Sequence, residues 1–331
     1  MNRLKSLLIS WETLLVVLLL ISIFIGSVVS PYFLSGFNFN ALTSNTMEIA
    51  IMALPMTLII IAGEIDLSVG SMLGLSSVVL GLLWKSGDPM WLAIGVALLV
   101  GLAGGYINGI LVTKLALPSL VITIGTLALY RGLAFVVLGD QAVSDFPTSF
   151  TNLGFSSIPG TEIPWSFLIF AVLAVIFGVV LHVSRWGRQI YAMGNNKEAA
   201  RFSGINVSRV KLVLFMLSGL IAALAGVIFT ARLSSARPDN ALGFELYVVT
   251  IVLLGGVNIF GGRGSLLGVV LAIFIVAIVQ NVLGLKNISG DIQSLAIGLL
   301  LILSVLGPNV ARRIQDVIVR RRLVAGSSQQ T

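Results

Sequence analysis

Long apolar blocks separated by short polar stretches run through almost the whole chain. A helix crossing the hydrocarbon core of a bilayer takes about 20 residues. Blocks near that length fall at 11–30, 46–62, 68–84, 91–111, 119–139, 164–182, 211–231, 246–260, 265–283 and 291–307. The pattern predicts an all-α polytopic membrane protein with about ten transmembrane helices. Several blocks are short and glycine-rich, so tilted, broken or re-entrant helices are expected at the second, third and eighth. Leu14 to Val29, preceded by Arg3 and Lys5, looks superficially like a signal peptide. It is long enough to span, and Pro31 stands where a small-residue cleavage site belongs, so it reads as a retained first helix.

Composition strengthens this picture. Of 331 residues, 57% are hydrophobic and 10% charged, whereas a soluble domain carries about a quarter charged residues. The net charge of +7 does not point to nucleic acid, because the basic residues cluster at the ends of apolar blocks and form no aromatic-interleaved runs. With ten spans and a cytoplasmic N-terminus, 15 of the 20 Lys and Arg fall on the cytoplasmic side, as the positive-inside rule requires. Both termini are then cytoplasmic. The chain reads as one domain, 1–331, with a cytoplasmic segment 1–10, a basic cytoplasmic loop 183–210 and a basic tail 308–331. The external loop 140–163 is long enough to fold over an entrance, and the small polar stretch Ala325–Thr331 is expected to be disordered.

Chemistry inside the chain is sparse. Cysteine is absent and His182 is the single histidine, which argues against a metal site, a cofactor ligand set or a nucleophilic triad. An intramembrane protease would need paired aspartates, a Ser–His set or zinc. A self-powered, ion-coupled carrier would need a titratable group near the midplane, and the spans are nearly free of carboxylates. Asn108, Thr123, Thr126, Gln280 and Asn281 fall within spans and are candidates to line a path for a hydroxyl-rich solute, or to bond one helix to another. Glu48 and Arg131 fall at similar depth and are expected to pair, since an unpaired charge there is expensive. Gly63-Glu64-Ile65-Asp66 and Gly255-Gly256-Val257-Asn258 form a weak repeat, each followed by Gly-Ser and an apolar helix. Glu64, Asp66 and Asn258 in those turns are candidates for gating or for capping the next helix.

The loop 183–210 holds the most informative segment. Asn195 with Glu198 three residues on has the spacing of a capping box, Ala199 and Ala200 extend the helix, and Gly204 suits a left-handed end. A helix of about two turns is expected, with Phe202 and Ile205 as apolar anchors for a partner or for its own domain. The segment Asn195, Asn196, Lys197, Glu198, Ala199, Ala200, Arg201, Phe202, Ser203, Gly204, Ile205 resembles the coupling loop of ABC-importer permeases. Further stretches resemble the monosaccharide branch of that family, which includes ribose, xylose, rhamnose and autoinducer-2 permeases: Ile61 to Ser71, Ile107-Asn108-Gly109, Pro118 to Thr126, Tyr130-Arg131-Gly132 and Gly255 to Ser265. One departure is Glu64, where the family pattern usually has glycine.

The resemblance implies a non-enzymatic permease in the bacterial inner membrane that moves a monosaccharide or sugar-like solute by alternating access. It implies a second permease, identical or sister, two ATP-binding subunits, a periplasmic or extracellular sugar-binding protein and membrane lipid as surroundings. The chain contains no G-x-x-x-x-G-K-[ST] loop, so ATP would be hydrolysed by another subunit. An amino-acid or nucleoside permease of the same superfamily is the rival within this reading.

Overall fold

The computed structural model describes residues 11–303 and Leu306, so the segment 1–10 and the tail 308–331 lie outside the described residues. The described chain is all-helical, in the order α1 (Trp11–Val29), α2 (Gly36–Ile61), α3 (Val69–Lys85), α4 (Met90–Lys114), α5 (Ser119–Leu138), α6 (Thr148–Phe155), α7 (Trp165–His182), α8 (Arg185–Asn195), α9 (Lys197–Phe202), α10 (Val207–Leu233), α11 (Phe244–Leu254), α12 (Leu266–Leu285) and α13 (Gly290–Leu303). Seven helices are long and apolar enough to span a bilayer, and α3, α11 and α13 are shorter apolar helices. Each of the ten expected blocks coincides with one of these ten.

The bundle is built around α2, 94% buried along its most apolar window, whereas α1 is 11% buried. In lipid an apolar flank costs nothing, so α1 can face outward, while the helix carrying Asn, Thr, Ser and Glu takes the middle. Hydropathy alone does not set the order, since α10 and α12, the most apolar by mean hydropathy, are 67% and 50% buried. Pro55 is tolerated inside α2 because neighbouring helices surround it.

The closest helix pair is α4 with α10. Gly101, Gly105 and Gly109 recur every fourth residue and form a smooth stripe on α4. A Cβ added at Gly105 would stand 2.9 Å from the Met216 Cα, and one at Gly101 would meet the Gly219 carbonyl. Backbone cannot give way as a side chain can. Gly105→Leu is therefore expected to destabilise the fold by about 3 kcal/mol, the upper end of overpacking, whereas Gly95→Leu, where nothing lies within 4 Å, should be neutral in thermal unfolding.

Two spans are broken. Between α2 and α3 the backbone leaves α2 through Gly63, at φ +76, and runs non-helically to Ser68. Glu64 lies against Lys211, Asp66 bonds Ser218 and Ser77 bonds Thr230, so the segment climbs along α10. From Lys211 to Ser218 that climb is about 10 Å at 1.5 Å per residue, and α3 starts well inside the bundle. Segment 234–243 dips in from the opposite end, where Asn240 donates to Ser77. There α11 begins, and Gly70 of α3 sits against Ala241 and Glu245. The first turns of α3 and α11 thus meet within the bundle, with their helices running in opposite directions, a geometry common in transporters. Non-helical backbone at this depth needs partners. Ser119 Oγ accepts from Ile65 N, Thr123 Oγ1 donates to Ile65 O, and the Arg131 guanidinium donates to the carbonyls of Gly70, Pro238 and Asn240.

The turns after α2 and α11 share one hydrogen-bond pattern. Gly63 N donates to Ile60 O and Glu64 N to Ile59 O, while Gly256 N donates to Leu253 O and Val257 N to Val252 O. Both are Schellman endings, and Gly262 N donating to Ile61 O joins them. Loop 140–163 contains α6, which lies on the end of α10, where Gly154 packs against the Arg232 backbone.

Candidate coupling surface and solute path

One end of the bundle carries α8 and α9. The expected capping box is shifted by one residue: α8 runs through Asn195, and the cap is Asn196, whose Oδ1 accepts from Glu198 N and Ala199 N at 3.0 Å. Asn195 instead donates to Tyr191 O of its own helix and to Gly262 O. An extended Asn196, φ −157 and ψ 108, separates the two helices, a break that residue spacing alone does not reveal. The short helix itself is present, and Gly204 ends it at φ +81. Its apolar residues divide: Ala200 is buried and Ile205 packs on the core, whereas Phe202 is 92% exposed. Lys197, Glu198, Ala199, Arg201 and Ser203 are exposed beside it.

α9 is tied to the broken span through Glu64. Its Oε1 accepts from Lys197 Nζ at 2.8 Å and from Lys211 Nζ at 2.5 Å. Burial by itself would raise the Glu64 carboxyl, but hydrogen bonds from Lys197, Lys211 and Ser119 outweigh it and hold the group below its ordinary value. Two residues on, Asp66 accepts from Ser68 N and Ser68 Oγ through Oδ1 and from Ser218 Oγ through Oδ2. This Asx-type turn starts α3. Asn108 Nδ2 donates to Ser68 Oγ, and Tyr130 Oη donates to Asn108 Oδ1. Asn258 acts locally, its Oδ1 accepting from Phe260 N within the second glycine-rich turn.

Three of the five path candidates therefore lie inside the packed bundle. Asn108, Thr123 and Thr126 are 1%, 0% and 5% exposed. Thr123 and Thr126 spend their hydroxyls on backbone carbonyls. The expected Glu48–Arg131 pair is also absent. Glu48 Oε1 is bonded by Arg232 Nε at 2.7 Å, and Arg131 serves the carbonyls named above. The reason is reach: α10 extends to Leu233, past the expected end at 231, and brings Arg232 beside α2.

The remaining two candidates line open space. Two adjoining cavities, about 530 and 330 Å³, lie among α2, α11, α12 and α13 toward the end away from α9, and both are bounded by Asn45 and Gln280. Asn281 and Asn38 exchange reciprocal amide hydrogen bonds in one wall. Gln293 lines the larger cavity, and Tyr247 and Ser294, whose hydroxyls are 3.2 Å apart, line the smaller. Asn38 and Asn45 escape a hydropathy reading because they precede the expected block 46–62, and Gln293 because it stands at the very start of the block 291–307. Only their shared groove groups them.

Comparison with known proteins agrees with this architecture. The profile of the branched-chain amino acid transport system / permease component family matches residues 38–305. The autoinducer 2 import system permease protein LsrD of Klebsiella pneumoniae is 35% identical over 92% of both chains. LsrD of Yersinia enterocolitica is 37% identical over 85% of this chain and 87% of its own, and LsrD of Escherichia coli K12 is 35% identical over 94% and 96%. No solved structure matches. A family profile covering most of the chain, a ten-helix membrane bundle with broken spans and an exposed α9 lead to one assignment: the chain belongs to the branched-chain amino acid transport system permease component family, as a multi-pass inner-membrane subunit of a transporter.

Proposed function

We propose that this chain is the membrane-spanning subunit of an ATP-driven importer carrying a monosaccharide or sugar-like solute into the cytoplasm, with the α8–α9 end cytoplasmic. The observation that carries the reading is α9, a capped helix presenting Phe202, 92% exposed, where the coupling loop of such permeases meets the ATPase. A bare aromatic ringed by polar side chains is the anchor a groove in a partner accepts. Similarity to proteins named autoinducer 2 import permeases favours the sugar-like solute. The partners are two ATP-binding subunits at α9, a second permease, identical or sister, and a sugar-binding protein at the opposite face.

In this reading ATP-driven closure of the partner subunits displaces α9. Lys197 pulls on Glu64, and the load reaches Asp66 and the first turn of α3 where it meets α11. Asn195, Asn196, Glu198, Ala199, Ala200, Arg201, Ser203, Gly204 and Ile205 shape and support the docking helix. Gln280 and Asn281 line the path. Asn108, Thr123 and Thr126 hold the broken span.

The test is affinity purification of the tagged chain from its native membranes, followed by mass spectrometry. An ATPase should accompany the wild type, and Phe202→Asp should reduce its recovery at least about tenfold, the loss of a docking hot spot. A chain that purifies without an ATPase and moves sugar in liposomes without ATP would replace this reading with a self-powered carrier.

A further inference from the structure

A third cavity, about 270 Å³, lies at the α9 end of the bundle, among α9, the first turn of α10 and the turn joining α4 to α5. Lys197, Arg201 and Lys211 line it, and Glu64 is the single carboxylate among its lining residues. Two positive charges in its wall are therefore uncompensated. The latch does not exhaust the donors either. An ammonium carries three N–H groups, and Lys197 and Lys211 each offer one to Glu64 Oε1. Neither the Arg201 guanidinium nor the Ser208 hydroxyl, which also lines the cavity, has a hydrogen bond or ion pair among the described residues. Gathering three cations around one carboxylate costs repulsion, which an anion in the cavity relieves. Lys197 and Arg201, four residues apart, share one face of α9, whereas Phe202 is turned about 100° further round. The cavity thus lies on a different face of α9 from the aromatic anchor.

We propose that this cavity is a site for a phosphate group, held by Arg201, Lys211 and the spare donors of Lys197, with Ser208 beside them. An arginine fork and ammonium donors match phosphate oxygens, and basic pockets at the cytoplasmic ends of membrane helices suit anionic headgroups. Leu117 lines the same cavity and is exposed together with Leu115, Leu120 and Val121, an apolar flank for an acyl chain. The ligand is a phosphate-bearing anion, supplied by a phospholipid or free in solution. Bound there, it adds a second tie between α9 and α10 beside Glu64. This inference rests on the importer reading only for the cavity's facing the cytoplasm.

The test uses the full chain in nanodiscs, which leave both faces open, and follows amide exchange across 197–204. The probes, at fixed ionic strength, are phosphatidylglycerol diluted into phosphatidylcholine and, separately, inorganic phosphate added to phosphatidylcholine discs. Phosphatidylglycerol should slow exchange there. Arg201→Gln should raise the amount needed for half the effect about tenfold, the loss of one charge-assisted contact. Arg185→Gln, which removes a cation at the same end but outside the cavity lining, should not. Slowing by inorganic phosphate alone would keep the site and make its ligand a soluble anion. No slowing by either probe, or equal shifts from Arg201→Gln and Arg185→Gln, would overturn it. Slowing produced by an added ATPase and by neither phosphate probe would assign the cavity to an acidic side chain of that partner and overturn it as well. Phosphate-dependent slowing in a chain that brings down no ATPase would keep the site and overturn the importer reading alone.

Discussion

Arg232→Met is expected to destabilise the bundle by about 3–5 kcal/mol, the cost of stranding a buried charge. Glu48 is 0% exposed, and its Oε1 is bonded by Arg232 Nε at 2.7 Å. Its Oε2 has no hydrogen-bond partner among the described residues. The guanidinium also donates to Asn45 at 3.0 Å and lies 5.2 Å from the Phe229 ring centroid. Removing it leaves a carboxylate in a low-dielectric interior with nothing to balance it. Glu48→Gln in the Arg232→Met background should recover most of the loss, because a neutral amide is far cheaper to bury. Denaturation in detergent measures both. A Glu48/Arg131 double-mutant cycle should show coupling below about 0.5 kcal/mol, as for sites that share no partner. Strong coupling in that cycle would contradict the arrangement.

Glu64→Leu is expected to release α9 from the bundle and to separate ATP hydrolysis from solute movement. Two lysines share one carboxylate oxygen, so deleting it removes both attractions and leaves two ammonium groups facing each other. Lys197 is 45% exposed and Lys211 14%, so water screens one partner more than the other. About 2–3 kcal/mol is lost locally, below the cost for a fully buried pair. Amide exchange across 197–204 should quicken while α10 stays protected, and solute moved per ATP should fall with ATPase recovery unchanged. The pH dependence has a definite sign. Because the folded Glu64 carboxyl is held below its ordinary value, the latch contributes fully above about pH 4.3 and is lost only as pH falls through the depressed value. Wild-type α9 should therefore stay protected throughout the neutral range. Release of α9 on mild acidification near pH 6 would rule out Glu64 as its anchor.

Several features could be read because lipid imposes a simple rule. Ten apolar blocks gave ten helices, since every spanning backbone must satisfy itself as helix. The second block, expected to be short or broken, is instead the unbroken 26-residue α2. The third became the short α3 behind the broken segment 62–68, and the eighth became the short α11, because glycine permits the turns and close approaches that such breaks need. Gly204 at the end of α9 was legible for the same reason: its left-handed φ of +81 is easy for glycine. Long-range partners were not legible. Asn195 and Asn196 are adjacent and identical in type, and only the packing of Asn195 on Gly262 decides which one caps.

By itself the sequence determined the solvent, the class of fold, the number of apolar helices and the place of the short helix in loop 183–210, because each depends on local composition and period. Tertiary structure decided which charges pair and which polar residues face open space. Arg232 took Glu48 because α10 runs alongside α2, Arg131 took the carbonyls that two broken spans expose, and Gln280 met Asn45 from the far end of the chain. Such meetings are set by helix packing between segments far apart in sequence, a separation over which one-dimensional patterns carry no pairing information.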